Sequence, residues 1–243
     1  MKLSTDSIKT LDSLVQTAMV AGIKKLVIEG GKIRGIDEKQ QVVIITTANV
    51  PDFGGKQIGI NRIDQLGQRL NLVKNQGTLD IVATEAANNT DISLLDLSSG
   101  KVKAQFRCAS VEAVKGVPKN VADTLVWEIK VGAASLPIIN QAVSAMGAEA
   151  VTIASKNGTT VSIELVDANR DVFSTELPDD ALWIGEEAPS VNGSFCHKYP
   201  AKTLVSLLKE ALKTCDPLPM QLGEGGIFSF KVNGLDFFIL PTQ

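Results

Sequence analysis

The chain has 243 residues, of which 44% are hydrophobic and 21% charged, with a formal charge of −3 and a single histidine. This is the composition of a globular protein long enough for two cores, and no low-complexity tract or run of like charge points to disorder or a nucleic-acid tail. No apolar stretch approaches the roughly 20 residues that cross a bilayer. Met1-Lys2-Leu3-Ser4 leads straight into a helix pattern, so no membrane association and a cytoplasmic setting are expected. Cys108, Cys196 and Cys215 are odd in number and fit no metal spacing, which suits reduced thiols; no metal and no cofactor is expected.

In chain order, the spacing of Ile8, Leu11, Val15 and Ala18 predicts a first helix over Thr5–Met19, capped by Ser4 or Thr5 and followed by Gly22. Short strands are expected at 25–29, 31–36, 41–47 and 57–60, separated by Gly30-Gly31, Asp37-Glu38 and the Pro51 to Gly55 segment. Ile63, Leu66, Leu70 and Val73 mark a second helix over 62–74, and strands follow at 78–84, 91–95 and 101–107. Residues 109–123, with a Gly-Val-Pro step and no periodicity, read as a long connector. Beyond it come a strand at 124–131 and a helix at 135–146 with Pro137 in its first turn. Strands broken at Asn157-Gly158 and at 167–170, a polar loop at 184–194 and a strand at 194–199 complete the middle of this half. A fourth helix is expected over 201–214, stopped by Asp216-Pro217, and the chain finishes in a hairpin around Asn233-Gly234.

The helix stripes recur after about half the chain, at Leu136, Ile139, Val143 and Met146 and at Val205, Leu208, Leu212 and Cys215. Such self-similarity indicates two copies of one unit, each of α+β class with two helices packed on antiparallel sheets. The expected division is residues 1–109, a connector at 110–123, and residues 124–243.

Charge is divided unevenly. The four predicted helices hold seven basic residues, Lys9, Arg62, Arg69, Lys74, Lys202, Lys209 and Lys213, against four acids, Asp6, Asp12, Asp64 and Glu210, within a chain that is acidic overall. At 100° per residue Lys202, Lys209 and Lys213 share one face, where the like-charged i,i+4 pair Lys209 and Lys213 disfavours the isolated helix unless something negative lies opposite. The predicted third helix exposes Asn140, Gln141 and Ser144 and no acid. A solvated polar face accounts for any one lysine; the set points to phosphate contacts with duplex DNA, independent of sequence. No aromatic residue lies on these faces to stack unpaired bases.

A catalytic signature is missing. His197 lies beside Cys196 with no carboxylate or second histidine at useful spacing. Gly30-Gly31-Lys32 and Gly54-Gly55-Lys56 lack the other positions of a phosphate loop, and GEGG at 223–226 reads as a hairpin turn. The chain is therefore expected not to be an enzyme.

Three segments carry a family likeness: GIDEKQQVVI at 35–44, SVEAVKGVPKN at 110–120 and GLDFFILP at 234–241. Together with the two-helix, many-stranded halves, they resemble the DNA sliding clamps of eukaryotes, archaea and T4-like phages; the opening MKLSTDSIKTL looks most like the phage members, which suggests a viral source and a host cytoplasm. The resemblance implies a homotrimeric ring of six domains, a processivity factor with helices around duplex DNA, holding a replicative DNA polymerase and served by a clamp loader. It also implies that partner peptides dock beneath the connector beside the last strand, at Ile36, Gln41, Val117, Pro118, Phe238, Leu240 and Pro241. Phe238 by itself also fits a core position. Ring closure would pair the strand at 101–107 with 172–177 of a neighbour. The second reading is a clamp-like DNA-binding accessory subunit acting as a monomer or heteromer.

Overall fold

The computed structural model describes residues 1–114, 116–156, 158, 160–177, 182–184 and 194–242. Asn157 and most of the polar loop expected at 184–194 lie outside these residues. The chain divides into two compact units, Met1–Asn120 and Val121–Gln243.

In the first unit, helix α1 (Thr5–Val20) is followed by strands β1 (Ile23–Glu29), β2 (Lys32–Asp37), β3 (Val42–Thr46) and β4 (Ile58–Ile60). Helix α2 (Ile63–Lys74) then leads to β5 (Asp80–Glu85), β6 (Ile92–Ser99) and β7 (Val102–Arg107). The strands form two antiparallel sheets, in the orders β3-β2-β1-β4 and β5-β6-β7. Ser4 caps α1, its Oγ accepting from the Ser7 N–H at 3.1 Å, which satisfies one of the free donors of the first turn. The apolar stripes of α1 and α2 are buried at Leu11, Leu14, Val15, Leu66, Leu70 and Val73, removing both helices' hydrophobic faces from water. Gly67 sits where a Cβ would run into the Met19 thioether of α1, so its lack of a side chain sets how closely the two helices approach.

The second unit contains β8 (Leu125–Val131), α3 (Leu136–Met146), β9 (Ala150–Ser155), β10 (Ser162–Val166), β11 (Val172–Glu176) and β12 (Leu182–Ile184). It continues with β13 (Phe195–Pro200), α4 (Ala201–Ala211), β14 (Leu218–Gly223), β15 (Phe228–Val232) and β16 (Leu235–Ile239). Its sheets run β11-β10-β9-β13 and β12-β8-β14-β15-β16. The first of these repeats β3-β2-β1-β4 strand for strand, and β14-β15-β16 repeats β5-β6-β7. The antiparallel bridge between Lys2 and Val82 beside β5 takes the place that β8 takes beside β14. At Asn233-Gly234 both residues have positive φ, 51° and 77°, the geometry a two-residue hairpin demands.

Element ends differ from the sequence reading where hydrophobic spacing outruns helical geometry. α4 stops at Ala211 and not at 214, because the amides of Lys213 and Thr214 bond to the carbonyls three residues back, Glu210 and Ala211, and no longer to those four back. Leu212 is consequently half-buried and Cys215 exposed. Strand β12 and a single 3-10 turn, η1 (Val111–Ala113), lie where no periodicity was readable.

Two groups test this packing. Burial pushes the Cys108 thiol up to about 12, with Arg62 pulling the other way, whereas Cys196 and Cys215 are exposed. A thiol reagent at mildly alkaline pH should therefore modify Cys196 and Cys215 in the native chain and reach Cys108 only after unfolding, as counted by mass. The His197 imidazole is pushed below its ordinary 6.5 by burial, which outweighs the opposing Asp123 charge. The unfolded chain then binds the proton more readily, so stability falls as pH drops below about 6.5 and levels off once the folded-state group has titrated. Denaturation midpoints followed from about pH 7.5 to about pH 5.5 should lose one increment of this fall in His197→Gln.

Candidate functional site

The helix surfaces were expected to present their cations to DNA, and the ion pairs determine which cations are free to do so. Lys74 donates to Asp12 at 2.7 Å, from α2 to α1. Lys213, just past the end of α4, pairs with Glu210 at 2.6 Å. Lys24 of β1 pairs with Asp64 of α2. Three of the four helix acids are thus neutralised locally, and only Asp6 is left without a cation among the described residues.

Arg62 and Arg69 converge on one ring. Their guanidinium carbons lie 5.4 and 5.5 Å from the centroid of Phe106 in β7, whose ring is fully buried beneath them, and Arg62 also donates to the Arg107 carbonyl at 3.0 Å. Among the described residues, Lys9, Lys202 and Lys209 are exposed and form no ion pair. Among the described residues, the helix lysines free of ion pairs are accordingly one on α1 and two on α4; in the second unit the neutral Asn140, Gln141 and Ser144 of α3 are exposed as well.

The seven residues assigned to partner docking divide between the units. In the first, Ile36 is buried in β2 while Gln41 closes the β2–β3 turn, where Asp37 Oδ1 accepts from the amides of Gln41 and Val42 at 2.7 and 2.8 Å. Val117 and Pro118 are half-buried in the connector. In the second, Phe238, Leu240 and Pro241 are all half-buried. Phe238 is not a core residue: strand alternation sends Phe237 fully inside and turns Phe238 to the other face.

Among the described residues, β7 ends the order β5-β6-β7 and β11 the order β11-β10-β9-β13 with an open edge, as the three-residue β12 does in the order β12-β8-β14-β15-β16. Along β7, Val102, Ala104 and Phe106 face inward while Lys103, Gln105 and Arg107 are exposed. Along β11, Phe173 and Thr175 face inward with Leu177 just beyond, and Val172, Ser174 and Glu176 are exposed. The opposite rims are occupied: Met1–Leu3 bonds along β5 through Leu3 N–H to Ile81 and Ala83 N–H to Met1, and the Thr242 amide bonds to Lys198 of β13 at 2.7 Å.

No protein-family model and no curated protein matches the chain. Solved structures do. The chain is similar to the PCNA2–PCNA3 complex of Sulfolobus tokodaii, with a TM-score of 0.64 and 16% identity over 99% of both chains. It is similar to A. fulgidus PCNA bound to the C-terminal region of FEN-1, with a TM-score of 0.63 and 16% identity over 100% of this chain and 97% of the other. The Entamoeba histolytica PCNA matches equally, at 0.63 and 16% over 100% and 98%. At such identities the likeness establishes architecture: the chain has, along its whole length, a PCNA-like sliding-clamp fold.

Proposed function

We propose that this protein is a DNA sliding clamp, a non-enzymatic processivity factor that closes as a homotrimer around duplex DNA and tethers a replicative DNA polymerase. The observation that carries this reading is the complementarity of the open edges of β7 and β11 within one chain. An exposed edge strand invites pairing, and a head-to-tail interface repeated by rotation closes a ring. The antiparallel register that sets Phe106 opposite Phe173 of a second copy also sets Ala104 against Thr175 and Val102 against Leu177 on the inner face. On the outer face it brings Lys103 opposite Glu176 and Gln105 opposite Ser174. A shift of two residues one way loses the Lys103–Glu176 pair and sets Arg107 opposite Arg170 instead. Pairing β7 with β7 would bring basic strands together. Both halves of the contact lie on the same polypeptide, which favours a homo-oligomer over the heteromeric reading.

Within such a ring, Lys9, Arg62, Arg69, Lys202 and Lys209 meet phosphates, and the paired Lys74 and Lys213 contribute less. So few free cations suit retention by enclosure and not by grip, because each phosphate neutralised steepens the salt dependence of binding by about 0.9 in logarithmic slope. Partner proteins, among them the polymerase and the loader, bind through short peptides, for which the resemblance offers Ile36, Gln41, Val117 and Pro118 of the first unit and Phe238, Leu240 and Pro241 of the second; apolar anchors of this type carry most of the energy in short-peptide recognition.

The native mass should be about 77 kDa, three times 25.8 kDa. Lys103→Glu alone and Glu176→Lys alone should each raise the dissociation constant of the ring several-fold through like-charge contact, and the double reversal should restore it. Mass photometry over a dilution series reads all three, and a chain that stays monomeric at micromolar concentration refutes the ring. Lys202→Glu with Lys209→Glu should lower retention on duplex DNA and flatten its salt dependence, whereas reversal of Lys213 should do so only weakly. Retention measured at two salt concentrations separates these cases.

A further inference from the structure

The turn GEGG between β14 and β15 and the lone histidine have no part in the reading above, yet they form one construction with the last residue of the connector. Asp123 Oδ1 accepts from the Gly225 amide and from its own neighbour Thr124, each at 2.9 Å, and Oδ2 accepts from the Ile227 amide at 3.1 Å. The turn is closed on itself by Gly223 N–H to Ile227 O and Gly226 N–H to Gly223 O, both 3.0 Å, and Glu224 N–H reaches Thr124 O at 2.8 Å. Its glycines leave the space that the carboxylate fills: a Cβ on Gly223 would overlap the Asp123 carboxyl group, and one on Gly225 would press on both of its oxygens at 3.2 Å. Gly226, at φ +84°, lies under the His197 ring, and the Tyr199 hydroxyl donates to its carbonyl at 2.8 Å. Successive backbone N–H groups curled around an anion form a nest, here filled by a side chain of the same unit.

We propose that Asp123 is a positioning residue: by seating in this nest it fixes the end of the connector and so holds Val117 and Pro118 ready for partner peptides. The inference rests on the peptide-docking reading given above. The start of the connector is already held, since Ala109 exchanges two backbone bonds with Gly59, at 3.2 and 2.8 Å, and Ser110 Oγ caps η1 at 3.3 Å. Lys32 Nζ adds weak contacts to Lys119 O and Asn120 Oδ1, both 3.4 Å. Past that point the first firm attachment is Asp123. Releasing it lengthens the segment that a peptide must order on docking, and that ordering is subtracted from the affinity.

The test uses the intact ring and a fluorescent peptide of the FEN-1 C-terminal region as probe. Asp123→Ala and Gly223→Ala, the second expelling the carboxylate while leaving it in the chain, should each weaken peptide binding roughly three- to tenfold, with the native mass unchanged. Both should speed amide hydrogen exchange at Gly225, Ile227 and residues 116–122. The double variant should bind no worse than either single one, because the two substitutions break one contact. Asp123→Asn, which keeps Oδ1 and loses the Ile227 acceptor, should fall between wild type and Asp123→Ala. If wild type binds and Asp123→Ala binds as tightly, the positioning role is overturned while the docking reading stands. Additive losses in the double variant overturn it as well. If wild type itself fails to take up the peptide, the docking reading is refuted and the positioning role falls with it.

Discussion

Unsatisfied backbone at the open edges of β7 and β11 is the constraint from which the rest of this molecule is best understood. A strand that ends a sheet leaves every second N–H and C=O directed at solvent, and proteins blunt, cover or pair such edges. Here the far rims are covered by short chain segments, Met1–Leu3 along β5 and Thr242 at β13, while β7 and β11 keep regular alternation, with no bulge, proline or inward charge to discourage pairing. β7 and β11 also match each other, in side-chain size on their inner faces and in charge at Lys103 and Glu176 on their outer faces. An interface of this type needs little buried area per strand, since the ladder supplies hydrogen bonds and a few side chains set the register.

The helix layer follows a different logic. Three of its four acids are matched by nearby cations, so that the surface is weakly positive and not strongly so. Lys24 reaches Asp64 from β1, and Lys74 reaches Asp12 across the α1–α2 contact that Gly67 makes close. Exposed ion pairs of this sort add little to stability, typically under about 1 kcal/mol, but they remove charge from what a partner would feel. Arg62 and Arg69 both lie over Phe106, and Arg62 is further held by its bond to the Arg107 carbonyl.

The four helices were legible because their stripes follow a 3.6-residue period over three or more turns, and the Asn233-Gly234 hairpin because its chemistry leaves few alternatives. Other features depend on partners distant in sequence and left no local mark. Nothing near Lys74 announces Asp12, 62 residues earlier, and nothing in the i,i+4 spacing of Lys209 and Lys213 reveals that the helix ends at Ala211. The choice between Phe237 and Phe238 as the buried ring turns on strand parity, which adjacent aromatic residues cannot settle. GEGG was readable as a turn, but its role as a receptor for Asp123, about a hundred residues earlier, was not, because that requires knowing which side chain comes to fill the space the glycines leave. Which of the helix lysines are free of ion-pair partners was likewise not legible.

In the ring proposed above, a polypeptide that carries both rims is its own mating part, and this has a genetic consequence. In a ring built from one gene product, each inherited change in β7 or β11 appears at every joint simultaneously, so a small local penalty is multiplied by the number of joints. A compensating change in the opposite strand of the same gene repairs all of them together. These two strands should therefore drift as a linked pair, free to change side chains so long as both change in step.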